Sequence, residues 1–224
     1  MNRIFPWGQQ ARRERLLQQP WPKAWEDTLS ETAHACLLSA EQLRKWRGII
    51  RVLIAEKKWD GCDGVEITDT IKVTIASQAA LMLLQMPHDY FGSVCSIVVF
   101  PSEFELLQEE WQERPDTALG QAPQGAVLLA WDVVSAEGRE LSSGKNLVIH
   151  EFAHHLDFQD GFWNGCPELP DKWQRTRWHK AMTAAFMQVQ RNLRKDRNTF
   201  FGDNAATNAT EFFPEASERF FTFR

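Results

Sequence analysis

The sequence predicts an α+β fold: one small β-sheet beside a buried helix, with further helices on either side. Three observations carry this. Residues 25–58, 75–86 and 173–194 place apolar side chains at helical spacing. Two short apolar runs, residues 94–100 and 125–134, have the length and composition of buried strands. Between the second run and the last long helix lies Asn146-Leu-Val-Ile-His-Glu-Phe-Ala-His-His-Leu-Asp157. A helix apolar on most of its turn is a buried one.

In chain order, residues 1–24 read as a loosely structured arm, broken up by Arg12, Arg13, Arg15, Pro20 and Pro22. Residues 25–224 then form a single domain, long enough to bury a sizeable core. Ser39-x-x-Gln42 has the form of a capping box and splits residues 25–58 into two helices. Asp60-Gly-Cys-Asp-Gly64 is turn chemistry. Pro101 ends the first strand, and residues 104–123 are polar and irregular. Ser142 and Ser143 offer caps for the buried helix, and Gly161 a stop. The helix at 173–194 turns Trp178, Met182, Phe186 and Val189 inward. A last helix, at about 208–221, carries Glu211, Glu215 and Glu218 among Phe212, Phe213, Phe220 and Phe221.

Composition sets outer limits. Hydrophobic residues make up 43% and charged residues 25% of the 224, an ordinary globular balance. A net charge of −5 opposes direct nucleic-acid binding. No run in the first 25 residues fits a signal peptide, and no stretch approaches a membrane span. Cys36, Cys62, Cys95 and Cys166 are scattered with no C-x-x-C. They read as reduced thiols of a cytoplasmic protein.

The chemistry lies in His150-Glu151-x-x-His154. Positions i and i+4 share one helix face, so the two imidazoles can hold one metal ion. Two histidines suit Zn2+, one per chain, with a third protein ligand and an open position for water. Glu151 stands beside that face, where its carboxylate can take a proton from the water. This is the zincin arrangement. The metzincin continuation H-x-x-G-x-x-H is absent, because Asp157 and Asp160 occupy its Gly and His positions. The third ligand is then Glu211, from a later helix as in gluzincins, or a carboxylate at the short spacing, Asp157 or Asp160. Glu211 is favoured because its helix is crowded with Phe. Asp157 and Glu215 are candidates for supporting contacts behind the ligands. His34, His88, His155 and His179 carry no motif and read as structural. Arg191, Arg194, Lys195 and Arg197 make a basic helix end that suits the dipole.

With those residues in place, the chain resembles the Mlc titration factor A family of zinc peptidases. The resemblance runs from residue 25 to residue 221. It rests on Lys58-Trp-Asp-Gly61, Glu66-Ile-Thr68, Ile75-Ala-Ser-Gln-Ala-Ala-Leu81, Val98-Val-Phe-Pro101, residues 125–132, 146–157, Glu211-Phe-Phe213 and Ser217-Glu-x-Phe-Phe221. The motif with its later Glu is also similar to the anthrax lethal factor catalytic domain. The resemblance implies a soluble bacterial aminopeptidase with His150, His154 and Glu211 as ligands and Glu151 as catalyst. It also implies binding of a transcriptional repressor such as Mlc. Three departures stand out. Where the family often has a Tyr suited to an oxyanion, this chain has Asn204, which becomes the candidate hydrogen-bond donor there. Pro214 sits inside the ligand helix, and relatives continue past the position of Arg224.

The expected reaction is hydrolysis of peptide bonds, with the strand at 125–134 as the edge of the cleft, pairing with an extended peptide. Two rivals remain. One is a non-catalytic protein that binds a regulator and keeps a vestigial or structural zinc. The other is a hydrolase of a non-peptide amide.

Overall fold

The computed structural model describes residues 6–102, 125–201 and 203–223. The expected irregular segment at 104–123 lies outside them. Eight helices and three strands follow in order among the described residues. They are α1 (Pro6–Gln18), α2 (Lys23–Ser30), α3 (Ala40–Glu56), β1 (Lys58–Gly61), α4 (Asp69–Met82) and β2 (Ser96–Phe100). After these come β3 (Ala126–Ala130), α5 (Trp131–Glu137), α6 (Leu147–Asp157), α7 (Lys172–Leu193) and α8 (Ala209–Thr222).

α1 corrects the expectation of a loose arm. Two of its arginines reach the end of α3. The Arg13 guanidinium pairs with Glu56 through Nη2–Oε2 at 2.6 Å and Nε–Oε1 at 2.8 Å. It also lies 4.5 Å over the Tyr90 ring. Arg12 Nη2 donates to the Ala55 carbonyl at 3.0 Å. An arginine-rich stretch reads as exposed by pattern. A bidentate pair with Glu56 is invisible to it.

The split at Ser39 is present. Ser39 Oγ accepts the Gln42 N–H at 3.2 Å, and Gln42 Oε1 accepts the Ser39 N–H at 2.9 Å. This capping box starts α3. Trp46, Ile49, Ile50 and Leu53 then recur on one buried face. Trp46 Nε1 donates to the Ser77 carbonyl at 2.7 Å and locks α3 to α4. α4 begins six residues earlier than its apolar run suggested, because Thr68 Oγ1 caps it by accepting the Ile71 N–H at 3.3 Å. Its central turns are buried on every side.

The sheet has strand order β1-β2-β3, all parallel. Trp59 pairs with Ile97, and Val98 with Leu128. Parallel neighbours need a crossover, and α4 supplies it between β1 and β2. β1 was not expected: Lys-Trp-Asp-Gly has no apolar alternation. β3 is shorter than expected. Residues 131–134 turn out of the sheet into α5, burying Val134 on a helix rather than a strand. The Asp132 N–H donates to the Pro101 carbonyl at the point where the chain leaves the sheet.

One core joins α3, α4, β2, β3 and α6, with Phe213 of α8 against it. A smaller cluster of Val189, Ala205 and Phe212 lies under α7, with Met182 and Phe186 packed on it. Trp178 packs against the main core instead. The inward face of α7 is thus the expected one. Asp171 caps that helix by accepting the Gln174 N–H at 2.8 Å.

Lys57, between α3 and β1, is buried, and its Nζ donates to the Phe91 carbonyl at 2.6 Å. Burial disfavours its charge and lowers its pKa from 10.5 to about 8, against the pull of Glu56. Between those values the unfolded chain binds more protons than the folded one, so this residue's cost falls as pH rises. We expect Lys57→Met to be more stable than the wild type near pH 7, with the difference shrinking between about pH 8 and pH 10.5. Urea unfolding of both proteins across that range checks it. A difference independent of pH would show that Lys57 titrates normally.

Candidate metal centre

The centre is built on α6, and its register is set at residue 146. Asn146 Oδ1 accepts the Ile149 N–H at 2.9 Å and caps the helix. Ser142 and Ser143, expected as caps, bond within their own loop, to Glu140 and to the Lys145 carbonyl. The cap is itself anchored. Asn146 Nδ2 donates to Gln78 Oε1 at 2.7 Å, and Gln78 is fully buried in α4. The N–H groups of Asn146 and Leu147 each meet a carboxylate at 2.6 Å, Glu218 Oε2 and Glu137 Oε2. Two anions thus sit at the positive end of the helix dipole. Gly161, at φ +86°, ends the short 3-10 turn Phe158–Asp160 that follows α6.

Val148, Ile149, Phe152, Ala153 and Leu156 fix the buried side of α6. Phe152 meets Phe91 edge-on, ring centres 4.7 Å apart. That leaves His150 and His154 on the face toward α8, rings 5.0 Å apart and side chains about one-fifth exposed. α8 presents Glu211 from its first turn, where Asn208 Oδ1 accepts the Glu211 N–H at 2.9 Å. Glu211 Oε2 lies 3.5 Å from His150 Nε2 and 3.9 Å from His154 Nε2. The three ligand atoms lie within 4.8 Å of one another. Donors ~2.0–2.1 Å from a tetrahedral zinc stand roughly 3.4 Å apart, so this nitrogen and oxygen set fits the ion. α8 continues through Pro214.

Glu218 supports a ligand candidate from behind. Its Oε1 lies 2.6 Å from His150 Nδ1. A carboxylate only accepts, so Nδ1 carries a proton and Nε2 is the nitrogen turned toward Glu211 and His154. Glu211, Glu215 and Glu218 follow one another at i, i+4 and i+7, all on one side of α8. Spacing alone could not choose between the last two. Glu215 lies close by, its carboxylate within 4.8 Å of ligand atoms of His150 and Glu218.

The other expected residues fall as follows. Asp157 is fully buried and does not join the cluster; its Oδ1 accepts the N–H groups of Asn164 at 3.1 Å and Cys166 at 2.9 Å. Asp160 is exposed, and its Oδ1 accepts the Phe162 N–H. Asn204 belongs to the 3-10 turn Asp203–Ala206 before α8, and its side chain lies outside the described ones. His155 hydrogen-bonds the Ala126 backbone and ties α6 to β3.

Charge is concentrated here. Burial opposes a charge on His150, but hydrogen bonds to Glu211 and Glu218 outweigh it and raise the pKa to about 10. Burial and the neighbouring His150 charge lower His154 to about 4. Burial raises the Glu151 carboxyl, and Glu211 and Glu218 add to this against His150. Glu211 is held low by its bond to His150. His150, His154 and Glu211 would hold a metal ion here in place of a proton on His150.

The two oxygens of Glu218 accept two different N–H groups, so an amide cannot replace it: its NH₂ would face a donor. We expect Glu218→Gln to weaken zinc binding by roughly 10–100-fold, and Glu215→Gln by less. Chelator competition measures both. The opposite order would place the orienting contact at Glu215.

Comparison with known proteins gives the family. Mlc titration factor A of Edwardsiella ictaluri is 27% identical over 214 residues, covering 91% of this chain and 78% of the relative. The protein of that name from Klebsiella pneumoniae subsp. pneumoniae is 28% identical over 216 residues, 88% and 77% respectively. An uncharacterised protein of Synechocystis is 29% identical over 221 residues, 94% and 80%. The model of one family of metallopeptidases matches residues 7–224. On that match the chain belongs to the glucose-regulated metallo-peptidase M90 family.

Proposed function

We propose that this chain is a zinc-dependent peptidase of zincin-like fold and aminopeptidase type, with His150, His154 and Glu211 as metal ligands and Glu151 as general base. The observation that supports it most is the approach of Glu211 to both imidazoles, at 3.5 Å and 3.9 Å, on the face beside Glu151. Two histidines and one carboxylate leave the open position of a catalytic site. Membership of a metallopeptidase family points the same way.

When bound, zinc supplies Lewis acidity and brings the pKa of a water toward ~7. The protein's own groups do the rest. Glu151 accepts the proton of the attacking water and passes it to the leaving amine. A carboxyl raised by burial is suited to both halves of that task. Glu218 holds the His150 ring in one tautomer throughout. Asn204 donates to the carbonyl oxygen. β3, terminal in the strand order among the described residues, offers its edge to the extended peptide.

The relatives' name supports a second role, binding of an Mlc-like repressor. In the non-catalytic version of this reading the zinc is vestigial. A cytoplasmic setting accords with four scattered cysteines and no C-x-x-C spacing. No described helix is long and apolar enough to cross a membrane.

Three substitutions test the reading. Glu211→Ala should empty the metal site, whereas Asp160→Ala should leave zinc content near that of the wild type; the reverse result would move the third ligand to the short spacing. Glu151→Gln should keep zinc and lower turnover of short unblocked peptides by about 10²–10⁴-fold, the usual worth of general-base catalysis. Equal turnover by the two proteins would remove Glu151 from the mechanism. No turnover by the wild type on any peptide would favour the repressor-binding role.

A further inference from the structure

We propose that Trp163, stacked on Phe158 at the rim of the His150–His154–Glu211 cluster, is a specificity-determining shelf that selects an apolar side chain of the peptide substrate. This rests on the peptidase reading above.

The shelf is continuous with the metal centre. The Trp163 ring centre lies 5.9 Å from that of His154, in an edge-on arrangement. It lies 4.9 Å from that of Phe158, at an interplanar angle of 27°. Phe158 follows directly on α6, so the stack begins where the metal helix ends. Trp163 is nevertheless 39% exposed, and its neighbour Phe162 is 68% exposed. Large apolar surface left open beside a reactive cluster is what a substrate side chain would cover.

The mount makes this surface more than an idle loop. Three elements hold residues 163–166 in place. Asp157 of α6 accepts the N–H groups of Asn164 and Cys166. Trp178 of α7 donates from Nε1 to the Gly165 carbonyl at 2.9 Å. Ala209 of α8 passes so close to Gly165, at φ +71°, that a Cβ there would stand 2.7 Å from its carbonyl oxygen. Asp157 is a fully buried carboxylate. Burying one is costly, and both N–H groups that its Oδ1 accepts belong to this loop. The result is a rigid aromatic face that loses little entropy on contact. The stacked faces of Phe158 and Trp163 offer apolar area, which suits a flat or branched apolar side chain such as Phe or Leu, with a cation over the ring as the competing ligand.

The test separates binding from turnover. Short unblocked peptides differing at one residue beside the scissile bond (Ala, Leu, Phe or Lys) are titrated against zinc-loaded Glu151→Gln, with and without Trp163→Ala. The same series is assayed for turnover with otherwise wild-type protein. We expect Trp163→Ala to weaken the Leu and Phe peptides roughly tenfold or more relative to the Ala peptide, the scale of apolar pocket discrimination. Trp163→Phe should retain most of the preference, with zinc content and thermal stability unchanged in both. An equal loss on every peptide, a preference for Lys, loss of zinc, or no peptide binding by Glu151→Gln would each overturn the shelf. The two readings fail separately. Side-chain discrimination in binding without any wild-type turnover would sink the peptidase and keep the shelf. Normal turnover with no dependence on Trp163 would do the reverse.

Discussion

One carboxylate holds the candidate centre together. Glu218 is 5% exposed and accepts two hydrogen bonds of 2.6 Å, from the Asn146 N–H and from His150 Nδ1. The first fixes where α6 begins. The second fixes how its first histidine is turned. Through Asn146 the network runs on to Gln78 in α4, whose own Nε2 donates to the Thr74 carbonyl at 3.0 Å. Three helices distant in sequence thus share one buried polar line. Such a line helps only when every member is satisfied, since each orphaned group would carry its full desolvation cost.

That line is affordable because of what surrounds it. Val148, Ile149, Phe152 and Leu156 of α6 are each at most 5% exposed, and each such burial is worth roughly 1.5–3 kcal/mol. The apolar side of α6 is packed against α4 and β3, while the polar side meets α8. The opposed sides let one short helix lie in the core and still expose two imidazoles to a ligand. Glu151 profits from the same placement. Burial keeps its carboxyl less acidic than usual, the direction a proton shuttle requires.

The sequence carried the local features well and the tertiary ones poorly. His150, Glu151 and His154 announce themselves by spacing, and the Ser39–Gln42 box by residue type. Residues 94–100 show a buried strand by length and composition, and β2 lies within them. Failures occur where a neighbour decides. Lys58–Gly61 is a strand only because β2 offers it a backbone partner. Residues 131–134 have strand composition but leave the sheet, with the Pro101 carbonyl taking the Asp132 N–H. Asn146 outcompetes two serines because its amide also reaches Gln78, 68 positions away in sequence. That Glu218 reaches His150 Nδ1 depends on how α8 packs on α6, which no helical periodicity encodes.

The helix rotation explains why these supports sit where they do. An α-helix turns by about 100° per residue. A shift of α6 by one residue would swing His150 away from Glu211 and bring Ile149 or Glu151 toward it. Phe152 would leave its contact with Phe91, and His155 its bond to the Ala126 backbone. The Asn146 cap at one end and the Asp157 carboxylate at the other each tolerate a single register, because each uses side-chain oxygens to hold particular N–H groups. Apolar packing alone would not be so strict, since Val, Ile, Phe and Leu can exchange places at modest cost. The metal face is therefore aimed by polar end-contacts, while the apolar face supplies the stability that lets them be buried.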